Sequence, residues 1–144
     1  MGRLAEAYRR LPNRMAFIVS AIIAWVLAFC AGIAGGIGGM YLYDGAQSKG
    51  DDLAVGLIGL YAVGTFVFIL VFSWLRKLHQ EISWRTLAYS LCVCLAGAAI
   101  TTMISWTDLD EHYMPIVAGG WIVILLCGLA GMLVSSRLFV KKSA

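Results

Sequence analysis

The chain has 144 residues, 61% of them hydrophobic and only 13% charged, with a formal net charge of +3. A water-soluble domain of this size needs more polar surface than that, and so small a basic excess, divided among separate segments, makes no nucleic-acid patch. A single integral membrane domain covering 1–144 is expected, because the pieces between its apolar stretches are too short to bury a core of their own.

Leu4, Ala7, Tyr8 and Leu11 recur at helical spacing, with Arg3, Arg9 and Arg10 on the remaining surface. This pattern predicts a short amphipathic helix in the membrane interface, with a frayed terminus as the alternative. Pro12 ends it, and Asn13 is placed to cap the helix that follows.

The first apolar stretch runs over about 15–43. It is longer than the core of a cleaved signal peptide, continues past Cys30, and has Phe29 where a lipoprotein cleavage box requires a small residue, so it is expected to be retained as a span. Ala21, Ala24, Ala28, Ala31, Gly35 and Gly38 form one stripe, with Gly32, Gly36 and Gly39 beside it. We read this as a glycine zipper. Helices in lipid gain nothing by hiding apolar surface from one another, so small residues let backbones approach and recover dispersion contacts.

Asp44 to Gly50 reads as an exposed turn, and Asp51 and Asp52 suit the N-terminus of the second span, about 53–75. That span has Gly56, Gly59 and Gly64 in one half and Phe66, Phe68, Phe72 and Trp74 in the other. The connection from Leu78 to Ser83 is short, which makes the second and third spans antiparallel neighbours. The third span, about 87–106, offers Ser90, Cys94, Gly97, Thr101 and Ser105 on one face; the fourth, about 116–140, offers Gly120, Cys127, Gly131 and Ser135. Between them lies an acidic loop from Thr107 to Tyr113, and Pro115 sits where a first helical turn accepts proline. The expected fold is therefore an all-α bundle of four transmembrane helices with short loops. Its helix-packing interface is assigned to Gly32, Gly35, Gly36, Gly39, Gly56, Gly59, Gly97 and Gly131.

Charge sets the orientation. Of the eleven basic residues, only Lys49 falls in an outer loop; Arg3, Arg9, Arg10, Arg14, Arg76, Lys77, Arg85, Arg137, Lys141 and Lys142 share the other side. Acidic residues mirror them, with only Glu6 and Glu81 on the basic side. The positive-inside rule makes both termini cytoplasmic, in what is expected to be a bacterial inner membrane. Arg9, Arg10, Arg14, Arg76, Lys77 and Arg137 are assigned as lipid-headgroup anchors. Trp74 and Trp84 at one interface, and Tyr41, Tyr43, Trp106, Tyr113 and Trp121 near the other, form an aromatic belt. Trp25 lies near the middle of its span, where the indole N–H needs an acceptor or a place within protein.

Chemistry is hard to place on this chain. Cys30, Cys92, Cys94 and Cys127 all lie within spans, and Cys92 and Cys94 project about 200° apart on a helix, so they read as small buried hydrophobes. His79 and His112 fall on opposite faces of the membrane, which excludes a pair of imidazoles holding a haem in the bundle. The outer Asp108, Asp110, Glu111 and His112 read as a solvated loop more readily than as a cation site. No phosphate loop, nucleophile elbow or zinc-hydrolase motif is present.

In length and span count the chain is similar to the small multidrug transporters and the membrane glutathione transferases. It lacks the first-span carboxylate of the former and the Arg, Asn and Glu pattern of the latter, so neither family is assigned. The expectation is a non-catalytic accessory or scaffold subunit of a larger membrane complex, without cofactor or metal, partnered by membrane lipids and other integral membrane subunits. The alternative is a small homo-oligomeric transporter, channel or lipid-handling protein.

Overall fold

The computed structural model describes residues 2–43, 49–105 and 114–140. The turn from Asp44 to Ser48, the acidic loop with Trp106, His112 and Tyr113, and Lys141 and Lys142 lie outside the described residues. Five helices follow in order: α1 (Gly2–Arg9), α2 (Asn13–Leu42), α3 (Lys49–His79), α4 (Trp84–Ser105) and α5 (Met114–Phe139). The described residues contain no strand.

Long apolar runs become helices because lipid offers no partner for backbone N–H and C=O groups, so each segment must satisfy its own. The four long helices contain 30, 31, 22 and 26 residues. At about 1.5 Å per residue, even the shortest exceeds the hydrocarbon core of about 30 Å. They extend beyond several of the expected spans. The second continues to His79 where 53–75 was expected, and the third begins at Trp84 where 87 was expected. Polar residues at an interface remain helical once the apolar run has fixed the ladder. Pro115 is the second residue of α5, and Ser83 caps α4 by accepting from Thr86 N at 3.4 Å.

The central helix is α3. It packs along its length against α2 on one flank and α5 on another, whereas α4 leans more lightly on α3 and α5, and α1 rests near the C-terminal end of α3. The buried core gathers Phe68, Ile69 and Phe72 from α3, Ala24 and Ala28 from α2, and Leu87 and Leu91 from α4. Its aromatic rings form a chain: Trp25 meets Phe68 at 5.0 Å, Phe68 stacks on Phe72 at 5.6 Å, and Phe72 meets Phe17 edge-on at 5.4 Å. Trp25 thus packs on protein with one face, yet the side chain remains 42% exposed at the bundle surface.

Three sequence expectations change here. The buried stripe of α2 is Ala16, Ser20, Ala24, Ala28, Gly32 and Gly36, rotated from the one anticipated through Ala21, Ala31 and Gly38. A strict four-residue repeat follows the helix ridge that fits a neighbour's groove, and here it faces α3. Cys30 and Cys92 are exposed on the outer helix surfaces, so only Cys94 is fully buried among the four thiols. Finally, Pro12 occupies the N-cap position of α2 and no side chain caps this helix. The Asn13 side chain is committed to Arg76 instead, accepting from Nη2 at 3.0 Å.

Hydroxyls tie the helices without introducing charge. Ser73 Oγ donates to Ile69 O within α3, and Ser135 Oγ donates to the same carbonyl from α5 at 3.5 Å. Such bonds contribute about 0.6 kcal/mol each in membrane helices, so they fix register more than they add stability.

Candidate functional site

The closest backbone approach lies between the C-terminal half of α2 and the N-terminal half of α3. A Cβ built on Gly32 would stand 2.6 Å from Leu60 O, one on Gly35 2.9 Å from Gly59 O, one on Gly36 2.8 Å from Gly56 O, and one on Gly59 2.5 Å from Gly35 O. Carbon atoms do not approach carbonyl oxygens so closely, so a side chain at any of these four positions forces the backbones apart. Among the described residues no glycine has a positive φ, so the value of these four is the missing side chain and not an unusual backbone.

The other assigned glycines are less constrained. Gly39 would place a Cβ 3.6 Å from Val55 O, and Gly56 faces the mobile end of Met40. Gly97 lies under the Trp25 ring at 3.4 Å, and Gly131 meets the Phe66 backbone at 3.3 Å. Gly38 has nothing within 4 Å. Two close contacts escaped the sequence reading: Gly120, placed on the small-residue face but not in the interface, meets Ile58, and Gly128 meets Leu91 and Thr65. Their signal was the buried row Gly120, Ile124, Gly128, Gly131 and Ser135, in which a large residue interrupts the small ones.

The basic residues divide by environment. Arg9, Arg14 and Arg137 are exposed, as headgroup anchors would be, and Arg10 is exposed beside Glu6 at 3.1 Å. Lys77 is exposed too, donating to Leu138 O at 3.2 Å and standing 5.3 Å over the Phe139 ring. That contact closes the ends of α3 and α5. Arg76 departs from the group.

Arg76 is only 9% exposed and belongs to a polar cluster at the N-terminal end of α2. Its Nη2 donates to Asn13 Oδ1 and to Gln80 Oε1, each at 3.0 Å, and its guanidinium lies 5.7 Å from the Phe17 ring centre. Both acceptors are neutral. One turn along the helix, the His79 ring stands edge-on to Tyr8 of α1 at 5.7 Å. Tyr8 Oη in turn donates to Ala16 O at 3.3 Å and shares a hydrogen bond with Ser20, which pins α1 to α2. Arg76 Nη1 and His79 Nδ1 are buried without a hydrogen-bond partner.

Two apolar cavities of about 110 Å3 each lie in succession along α2, the first between α2, α3 and α4 and the second mainly between α2 and α3 with Cys94 of α4 at its edge, and together they form a groove. They share Trp25 and Phe68, and Phe17 and Tyr89 line the one nearer Arg76. No group of three metal-ligating side chains comes together among the described residues. The chain matches no family model, no curated protein and no solved structure.

Proposed function

We propose that this chain is a non-catalytic accessory or scaffold subunit of a larger integral membrane complex. The observation behind this reading is the placement of charge. Among the described residues every Asp, Glu, Lys, Arg and His lies in α1, in a connection, or within about one turn of the end of a long helix, from Arg3 to Arg14, from Lys49 to Asp52, from Arg76 to Arg85, and at Arg137. A helix interior built from small residues, hydroxyls, thiols and rings suits packing against neighbours and offers no carboxylate, amine, guanidinium or imidazole. Solubilisation in mild detergent followed by affinity purification tests the reading: co-elution with unlike membrane chains supports it, and elution solely with copies of itself contradicts it. The apolar groove along α2 favours a second reading, a small homo-oligomeric lipid-handling protein or transporter.

The reading also carries an orientation, with both termini and the α3 to α4 connection cytoplasmic and the protein in a bacterial inner membrane. It rests on the division of basic residues between the loops. In a background with all four native thiols replaced, a cysteine at Ser48 should react with an impermeant maleimide in intact cells, and one at Ser143 should not. The opposite labelling would invert the topology.

Reconstituted alone in liposomes, the chain should support no substrate flux driven by a pH gradient and should show no visible absorbance from a bound haem or flavin. Proton coupling and electron transfer both need a group within the membrane that changes charge or holds an electron. Gradient-driven flux would move the transporter reading ahead.

A further inference from the structure

We propose that the Arg76 cluster and the groove beside it form one binding site for an anionic phospholipid, with the phosphate held by Arg76 and His79 and one acyl chain laid along α2 against α3 and α4. The inference holds under either reading of the function.

The head end is defined by an incomplete set of bonds. A guanidinium out of water is costly unless its charge and its donors are both met. Arg76 reaches two neutral amide oxygens and the face of Phe17, and its Nη1 remains buried without an acceptor. His79 Nδ1, three residues further along the same helix, is in the same condition. Residues three apart share a helix face, so one group with several acceptor oxygens can serve both nitrogens. Water would satisfy a hydrogen bond but leave the charge unmet. A phosphate meets both requirements, and guanidinium is the side chain best shaped to hold it.

The tail end is defined by the groove. It is flanked by rings, and its rim is open to the bilayer: Trp25 is 42% exposed and Tyr89 59% exposed. From Phe17 to Phe29 it follows α2 for about 18 Å at 1.5 Å per residue, slightly more than half of the roughly 30 Å hydrocarbon core. That is the depth of one leaflet, hence of one acyl chain. A neighbouring helix about 10 Å across would not enter cavities of about 110 Å3. Phe17 joins the two ends, since one ring both lines the groove and carries the Arg76 guanidinium at 5.7 Å.

Delipidated full-length protein in detergent, titrated by native mass spectrometry, tests the site. The probes are phosphatidylglycerol, a diacylglycerol with the same chains, and inorganic phosphate. Phosphatidylglycerol should bind at least about tenfold more tightly than either other probe, because only it engages both ends of the site. Arg76→Gln should weaken it by about tenfold, as expected for the loss of charged hydrogen bonds. Ala21→Leu should also weaken it, since Ala21 lines the groove while leaving the cluster intact. Equal binding of diacylglycerol would remove the phosphate from the proposal. Equal binding of inorganic phosphate would make the cluster a site for soluble anions and overturn the lipid assignment. Unchanged binding by the Ala21→Leu variant would overturn the groove's part. Should Arg76→Gln fail to fold, the probe comparison on the native chain and the Ala21→Leu titration still decide.

Discussion

Gly35→Leu should separate α2 from α3 and destabilise the bundle by about 2–3 kcal/mol, the upper part of the range of about 1–3 kcal/mol for forcing side-chain atoms into a packed contact. The new Cβ alone would stand 2.9 Å from Gly59 O and against Val63, before the rest of the leucine is accommodated. Gly38→Leu is the matched control. It lies three residues along the same helix with nothing within 4 Å, so it should change stability by less than about 0.5 kcal/mol. Thermal unfolding of both variants in the same detergent separates contact from composition. Equal melting temperatures would mean that the glycines of α2 do not hold the two helices together.

Phe72→Ala should cost about 2 kcal/mol, below the roughly 3–5 kcal/mol usual for such a truncation in a water-soluble core. Phe72 is 2% exposed and contacts the rings of both Phe17 and Phe68. In lipid the unfolded helix already keeps its phenyl ring out of water, so the transfer contribution is absent and only the lost dispersion contacts remain. The variant should also loosen the seat of Arg76, whose guanidinium rests on Phe17. Steric trapping in bicelles measures the free energy directly. A loss of 4 kcal/mol or more would show that the ring chain does more than fill space.

How far these features could be read from the sequence depended on what kind of rule governs them. The span count followed from apolar length, because no other structure satisfies a backbone in hydrocarbon. Which face of each helix packs was less legible. Alanines and glycines occur around most of α2, so composition allowed several stripes, and only contact with α3 selected the row through Ala16, Ser20, Ala24 and Ala28. Gly128 went unnoticed because its row includes Ile124, a large residue that lies at a contact able to hold it.

Arg76 lies at the expected end of its span, but its burial was not legible in the sequence. Adjacent basic residues read alike in sequence. Helical rotation of about 100° per residue then sends Arg76 toward Asn13 and Phe17 and Lys77 toward Leu138 and Phe139. The pairing of Asn13 with Arg76 spans sixty-three positions, so no local capping rule could have found it.

The central position of α3 bears on how the chain is made. Its tightest partner, α2, is the span that precedes it, so a nascent chain that has reached His79 already contains both sides of the glycine contact. These two helices can leave the insertion machinery as a hairpin. The last span must then find α3 from across α4, guided by Gly131 against Phe66 and by the Ser135 bond to Ile69. A fragment ending after α3 should therefore already be protease-resistant in the membrane, without α4 and α5.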